Sequence, residues 1–472
     1  MQGASSQQQL KTASLGVADI VFFVVAAAAP LGATLGVAPV VFASAGAGAP
    51  GVYLLASVIL LLFAIGFAAM SKHVVSAGGF AAMATKGLGT NIGNAAAGIA
   101  VFAYVAMLTG IYGQFAGFSM DTLSSLFGLN VDWWIIVAVV IGVIALFGYH
   151  DVNMSAKVLG VLMILEVLIL VIFDIAVIAQ TDVTDFTVST FIPTSLVTPG
   201  IGIALMFAFC CFVGFESTTI YGEEASDPSR TIPMATYVSI GIIGVFYTFT
   251  MWSLGLAYGH MDVQNAASSN MINFVFDANT KFVGEWSTKI MKILVLTSIF
   301  AVLLSFHNAL CRYFFALSRS KFLPKSLSNV HPKHSSPHIA SVCVTFVSLL
   351  IVGVFAIAGA DPILQLFMWM VGIGTLTVLV LQTIGAASVI GFTIRTRKIG
   401  FWQGIMASSI GGIGLAVVVY LAVTNFDELT GAKTGLVTHL PWLVVVAAVI
   451  GYLNGLRKAS RPETGSVAPL SQ

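Results

Sequence analysis

Twelve runs of eighteen or more predominantly apolar residues recur along the chain, at about 17–44, 51–71, 95–121, 132–149, 156–180, 199–222, 233–258, 288–317, 338–359, 363–392, 402–424 and 438–456. Each is long enough for a helix to cross about 30 Å of hydrocarbon, which takes roughly 20 residues. Ten-residue alternating segments, the signature of a membrane barrel, are not the pattern here. In lipid every backbone N–H and C=O must find a partner within the protein, and a run that long meets the demand only as a helix. The sequence therefore predicts an all-α polytopic membrane protein with twelve transmembrane helices. Composition agrees, with 58% hydrophobic and 8% charged residues against roughly 25% charged in a soluble domain. That balance excludes a soluble enzyme, a disordered chain and a nucleic-acid binder. Cys210, Cys211, Cys311 and Cys343 lie in apolar stretches without metal-ligand spacing, so neither a disulfide framework nor a metal is expected, and no cofactor is called for.

Orientation follows from where the basic residues fall. With a cytoplasmic N-terminus, sixteen of the twenty Lys and Arg lie on the inner side, the exceptions being Lys281, Lys289, Lys292 and Lys433. Twelve spans then put both termini in the cytoplasm. The first apolar run is too long for a signal-peptide core and is kept as a span. No soluble domain interrupts the plan, which divides into a cytoplasmic tail (1–14), a core (15–395), spans eleven and twelve (396–456) and a second cytoplasmic tail (457–472). Short loops and tails suggest a bacterial inner membrane.

A break in a membrane helix survives only where protein buries it or a cavity borders it, so breaks point to sites. Span one carries Pro30, Gly32, Thr34 and Gly36 close together, and proline removes a backbone donor while glycine loosens the helix. The competing reading is that Gly32 and Gly36 form a small-residue packing face. Span six carries Gly214 and Glu216. A carboxylate inside the membrane is a functional-site candidate by default, or else a lock that satisfies amides freed by the break. Interruptions in spans one and six occupy corresponding positions of two five-helix halves, about 15–180 and 199–392, the pointer to an inverted-repeat transporter with its site between the repeats. The halves show no residue-level similarity.

Particular residues carry a family resemblance. Gly214-Phe215-Glu216, then Glu223-Glu224, then Asp227-Pro228-Ser229-Arg230-Thr231-Ile232-Pro233 resembles the signature of the amino acid–polyamine–organocation (APC) transporters, of the bacterial amino acid permease type. Ser76-Ala77-Gly78-Gly79-Phe80, the Asn308 to Arg319 stretch with Phe322-Leu323-Pro324 after it, and Pro30 to Gly36 resemble the re-entrant first loop, the end of span eight and the unwound first helix of these permeases. The resemblance covers about 15–395, while spans eleven and twelve match only in number. The first helix lacks the compact Gly-Ser-Gly form of many members.

This resemblance implies the leucine-transporter type of fold: two inverted five-helix repeats with helices one and six unwound, plus helices eleven and twelve. It also implies a permease working by alternating access. The substrate carboxylate would meet N–H groups of Ala33, Thr34, Leu35 and Gly36 around Gly32. Its ammonium would meet carbonyls of Pro30, Leu31, Val213 and Gly214. Phe215 is similar to the aromatic gate, with Glu223, Glu224 and Arg230 as a cytoplasmic lock. Related cationic permeases carry a lysine where this chain has Glu166, near the midplane of span five. A carboxyl there can load and release a proton, coordinate sodium, or simply pack in protonated form.

Other residues have plainer readings. Tyr104, Met107, Tyr112 and Gln114 of span three and Trp369 of span ten could line a side-chain pocket. Asp174 could snorkel outward or pair with a neighbour, Asp19 and Asp121 read as interfacial, and His307 reads as a hydrogen-bonded packing residue. The expected function is secondary transport of an amino acid or related amine, coupled to protons ahead of sodium. The alternatives are an ion-independent exchanger and, from another class, a channel or a non-transporting sensor. No enzyme motif lies in the spans, and the few ionisable groups at the presumed pocket favour a neutral side chain.

Overall fold

A computed structural model of the chain describes residues 15–74, 78–149, 156–182, 186, 188–216, 218, 225–319, 322–331, 336–431 and 436–459. Each of the twelve predicted spans contains helix among its described residues. Span one is two half-helices, Val17–Ala28 and Pro30–Ala45. Ala49–Ser71, Thr90–Phe127, Trp133–Tyr149 and Ala156–Gln180 form spans two to five. Span six begins as Ile201–Cys210 and then breaks. Pro228–Tyr258, Glu285–Arg319 and His338–Ile357 form spans seven to nine. Span ten opens with a π turn, Pro362–Phe367, and continues as Met368–Thr396. Span eleven opens the same way, Trp402–Ala407 then Ser408–Thr424, and Trp442–Ala459 closes the set. Eight helical segments are long and apolar enough to cross a membrane on length and composition, and four shorter apolar ones complete the spans. Among the described residues the only β feature is an isolated bridge between Leu15 and Ala225.

The surface is built for lipid rather than water. Val139, Leu146, Val161, Ile164, Val245, Val354 and Ile413 stand exposed along the middles of their helices. Hydroxyl side chains inside spans fold back on their own helix, as when Thr236 donates to Ile232 O at 2.8 Å and Thr377 to Ile373 O at 2.6 Å, which satisfies them without a partner helix.

Spans one and six, two and seven, three and eight, and four and nine pack against one another. Each pairs an element with its counterpart five spans on, as two repeats related by a two-fold require. The short helix Gly79–Leu88, where the re-entrant loop is expected, lies on spans three and ten. Gly87 makes that crossing possible, since a Cβ there would run into the backbone of Ser388.

Candidate substrate cavity between the helix breaks

The break in span one is a single residue, Ala29, at φ 45° and ψ 73°. Pro30 accounts for its place. The ring disfavours helical backbone at the residue before it, while its fixed φ and missing N–H suit the first position of a new helix. The break is therefore tighter, and earlier, than the cluster of loosening residues suggests. Gly32, Thr34 and Gly36 are helical. The Thr34 hydroxyl donates to Pro30 O at 2.7 Å, and Gln114 Nε2 donates to Gly32 O at 2.7 Å. A Cβ on Gly36 would collide with that Gln114 amide, so Gly36 provides close approach, as the packing reading holds.

Amide groups follow from this geometry. A helix start leaves its first few N–H groups without intrahelical partners. The expected carboxylate-binding run Ala33 to Gly36 lies past most of that zone, and Ala33 N already donates to Ala29 O at 2.9 Å. The amides that open off the helix belong to Leu31 and Gly32. Leu31 N donates to Glu166 Oε2 at 3.4 Å, Gly32 N to Ser298 Oγ at 3.3 Å, and the Ser298 hydroxyl to Glu166 Oε2 at 2.7 Å. Glu166 thus sits at the junction of spans one, five and eight, buried at 5% exposure, at the positive end of the half-helix Pro30–Ala45.

Span six stops at Cys210, passes through a turn containing Gly214 at φ 115° and reaches Glu216. The Glu216 carboxylate accepts from Gly214 N at 2.9 Å and from the Tyr104 hydroxyl at 3.0 Å. It satisfies an amide freed by its own break, the geometry of a structural lock. Phe215, expected as the gate over substrate, is instead fully buried against Phe63 and Phe67 of span two, with ring centroids 6.3 and 5.8 Å apart.

Between the two breaks lies a cavity of about 60 Å³ walled by spans one, three, six, eight and ten, several times the roughly 10–15 Å³ that one water needs. Ala28, Ala29, Gly32 and Ala33 supply one side, and Cys210, Cys211 and Val213 the other. Met107, Ile111, Ile299, Val302, Phe306, Phe367 and Val371 supply most of the rest, and Gln114 is its polar side chain apart from the two thiols. Among the described residues no Asp, Glu, Lys, Arg or His lines it. Two half-helix C-termini, at Ala28 and Cys210, and one N-terminus, at Pro30, meet at this space, so partial negative and partial positive charge face it together.

Of the residues singled out from sequence, Gly32, Ala33, Met107, Gln114 and Val213 line the cavity, whereas Pro30, Leu31, Thr34, Leu35, Gly36, Tyr104, Gly214, Phe215 and Glu216 stand behind its wall. Glu223 and Glu224 lie outside the described residues, and Arg230 is exposed beside Asp227. Asp121 and Asp174 both find neighbours. Asp121 pairs with Lys292 at 2.6 Å, and Asp174 neither snorkels nor pairs with a charge but is buried, accepting from Thr250 at 2.9 Å. His307 is a packed histidine, Nε2 lying 2.9 Å from Ser341 Oγ. Sequence reasoning missed Ser298 because a serine in an apolar helix carries no signal of its own. Only its place across from Glu166 gives it a role.

Two broken helices closing on a shared cavity, within twelve helical spans, define a polytopic all-α membrane protein of the APC type. The amino acid permease family model matches residues 19–461, and the chain belongs to that family. It is similar to the branched-chain amino acid permease BcaP of Bacillus subtilis (strain 168), 24% identical over 310 residues, 65% of this chain and 59% of that protein. An uncharacterized transporter of Rhizobium meliloti (strain 1021) is 26% identical over 293 residues, 60% of each chain. Cationic amino acid transporter 5 of Arabidopsis thaliana is 28% identical over 153 residues, 32% of this chain and 26% of that one. The chain thus spans about three fifths of the length of the first two relatives.

Proposed function

We propose that this protein is a secondary active transporter that imports a neutral amino acid or related amine by alternating access, coupled to protons through Glu166. The observation that carries the reading is the cavity, where helix ends of both signs meet and no charged side chain intrudes. A zwitterion suits such a place. Its ammonium is matched by the carbonyl ends at Ala28 and Cys210, its carboxylate by the amide end near Gly32 and Ala33, and an uncharged side chain by Met107, Ile111, Val302 and Val371. The permease named for branched-chain amino acids among the relatives agrees with an apolar pocket.

Glu166 gives the coupling a physical form. As a carboxylate it draws Leu31 N and, through Ser298, Gly32 N towards span five. Hydrogen bonds to an ionised acceptor are roughly twice as strong as neutral ones. Protonation therefore loosens the outer half-helix from spans five and eight, and release of the proton fastens it again. The same amide end serves the substrate carboxylate, so proton and substrate act on one element. The lock roles of Glu223, Glu224 and Arg230 and the gate role of Phe215 belong to the same cycle, with Phe215 leaving its pocket in span two to cover bound substrate. The transporter core is 15–395, and a bacterial inner membrane with both termini cytoplasmic is its proposed setting.

Purified protein in liposomes tests this reading. With labelled branched-chain and other neutral amino acids outside, a proton gradient should drive accumulation, a sodium gradient should not, and Glu166→Gln should abolish the drive while leaving substrate binding. Uptake that ignores both gradients and requires substrate inside would make the protein an exchanger.

A further inference from the structure

Span five carries a second buried carboxyl that the coupling scheme above does not use. Asp174 is 1% exposed, one of its oxygens accepts from Thr250 at 2.9 Å, and the other, Oδ1, is buried without a hydrogen-bond partner. Ser253 is its other close polar neighbour. An ionised carboxylate in such a place needs a cation or several donors, whereas the groups beside Asp174 are the neutral hydroxyls of Thr250 and Ser253.

Several ionisable groups on the elements packed against span five are engaged elsewhere. On span eight, Lys292 pairs with Asp121, Lys289 with Glu285, and His307 bonds Ser341. On the outer helix Phe274–Phe282, Lys281 donates to Ala257 O and Asp277 accepts from Asn270. Asp19 on span one accepts from Gly16 N, and on span seven Tyr258 donates to Phe274 O. The outer half of span one has no ionisable residue.

What does connect Asp174 to the rest of the protein is a row of hydroxyls on span seven. Tyr247, Thr250 and Ser253 recur every third residue and are all buried. Thr250 meets Asp174, while the Tyr247 hydroxyl donates to Ala28 O at 3.2 Å, at the break of span one, and lies within electrostatic reach of Glu166. Glu166 and Asp174 are eight residues apart on one helix, about 12 Å along its axis.

We propose that Asp174 is a second proton-binding carboxyl, the outer station of a path that runs by Thr250 and Tyr247 to Glu166. Asp174 takes a proton from the outer side. As Glu166 is reloaded, the O–H bond on Asp174 breaks and one forms on Glu166, with the hydroxyls passing the proton, and Asp174 is reprotonated from outside. The proposal rests on proton coupling at Glu166 and adds the residue that feeds it.

Liposome transport of a labelled neutral amino acid, read in two modes, tests it. Asp174→Asn should lower the rate of proton-driven uptake by at least about a hundredfold, the low end of what a positioned proton-transfer group contributes. Exchange of substrate for substrate at equal pH should stay within about twofold, and Asp174→Glu should recover much of the drive. Wild-type accumulation that ignores the proton gradient sinks the coupling reading itself. Proton-driven uptake that Asp174→Asn leaves unchanged sinks the Asp174 proposal alone, as does a sodium-driven component that disappears with Asp174. If Asp174→Asn does not assemble, infrared difference spectra of the otherwise intact protein, carrying ¹³C-labelled aspartate, still decide. A protonated aspartic C=O band that diminishes on raising the outer pH supports the assignment, and its absence or indifference to pH overturns it.

Discussion

Carboxylates beside helix N-termini recur in this protein, and their surroundings give them different work. Asp227 caps span seven from an exposed position, Oδ1 accepting from Ser229 N at 3.1 Å and from the Ser229 hydroxyl at 2.7 Å. Those bonds, chiefly the hydroxyl's, hold its carboxyl below the usual aspartate range. A group whose folded pKa is depressed stabilises the fold above its unfolded value, and that contribution fades as pH falls through the folded one. Hydrogen exchange at the Ser229 amide, corrected for its intrinsic rate, should therefore accelerate below about pH 4, where an ordinary aspartate protonates. Asp227→Ala should show the fast rate already at neutral pH, and Asp227→Asn should stay close to wild type, since asparagine is also a strong cap. Asp227 and Glu166 were both visible in the sequence as acids in telling places. Ser298 and Thr250 were not, because hydroxyls are common in membrane helices and usually bond their own backbone.

At the scale of elements, Lys292 shows how a charge placed on the outer side by the basic-residue pattern becomes structural. Its side chain is 9% exposed, and the ammonium pairs with Asp121 Oδ2 at 2.6 Å, donates to Ser125 Oγ at 2.9 Å and lies 5.0 Å from the Phe276 ring centre. One side chain thus ties span eight to span three and to the outer helix Phe274–Phe282. Removing either partner strands the other in a mostly buried place. Asp121→Asn or Lys292→Met should each lower thermal stability in detergent by about 1.5–3 kcal/mol, the range for hydrogen bonds to charged groups. The double variant should lose clearly less than the sum. Additive losses would mean the pair contributes nothing beyond its separate packing. Helix extents were legible from hydropathy alone, but the end of the first half-helix was misplaced. The cluster of glycines after Pro30 drew the break towards itself, whereas the steric effect of proline acts on the residue before it.

Across the whole molecule, the count of spans and the correspondence of breaks in spans one and six were readable because lipid leaves the backbone so few choices. The pairing of spans one to four with their counterparts five positions on was not, since the halves share a plan without sharing residues. The cavity could be assigned to spans one and six but not bounded, as its far wall comes from side chains such as Ile299, Phe367 and Val371 that look like any others in an apolar helix. The inner-side excess of Lys and Arg predicts that a fluorescent protein fused after Gln472 folds and emits in bacterial cells. A reporter active only outside the cytoplasm should stay silent at the same place, and the opposite pattern would invert the proposed topology.

Ala29 has a left-handed backbone conformation that costs an L-residue about 1–2 kcal/mol, a cost that glycine escapes. The arrangement in which the inner half-helix meets Pro30 at this angle is therefore held under tension by its own main chain. About 1 kcal/mol of such tension shifts the occupancy of two conformations roughly fivefold, given that 1.4 kcal/mol is tenfold. On the proposed alternating-access cycle, one alanine methyl group at the edge of the cavity would thereby set a resting bias towards whichever arrangement of the helices lets that residue relax.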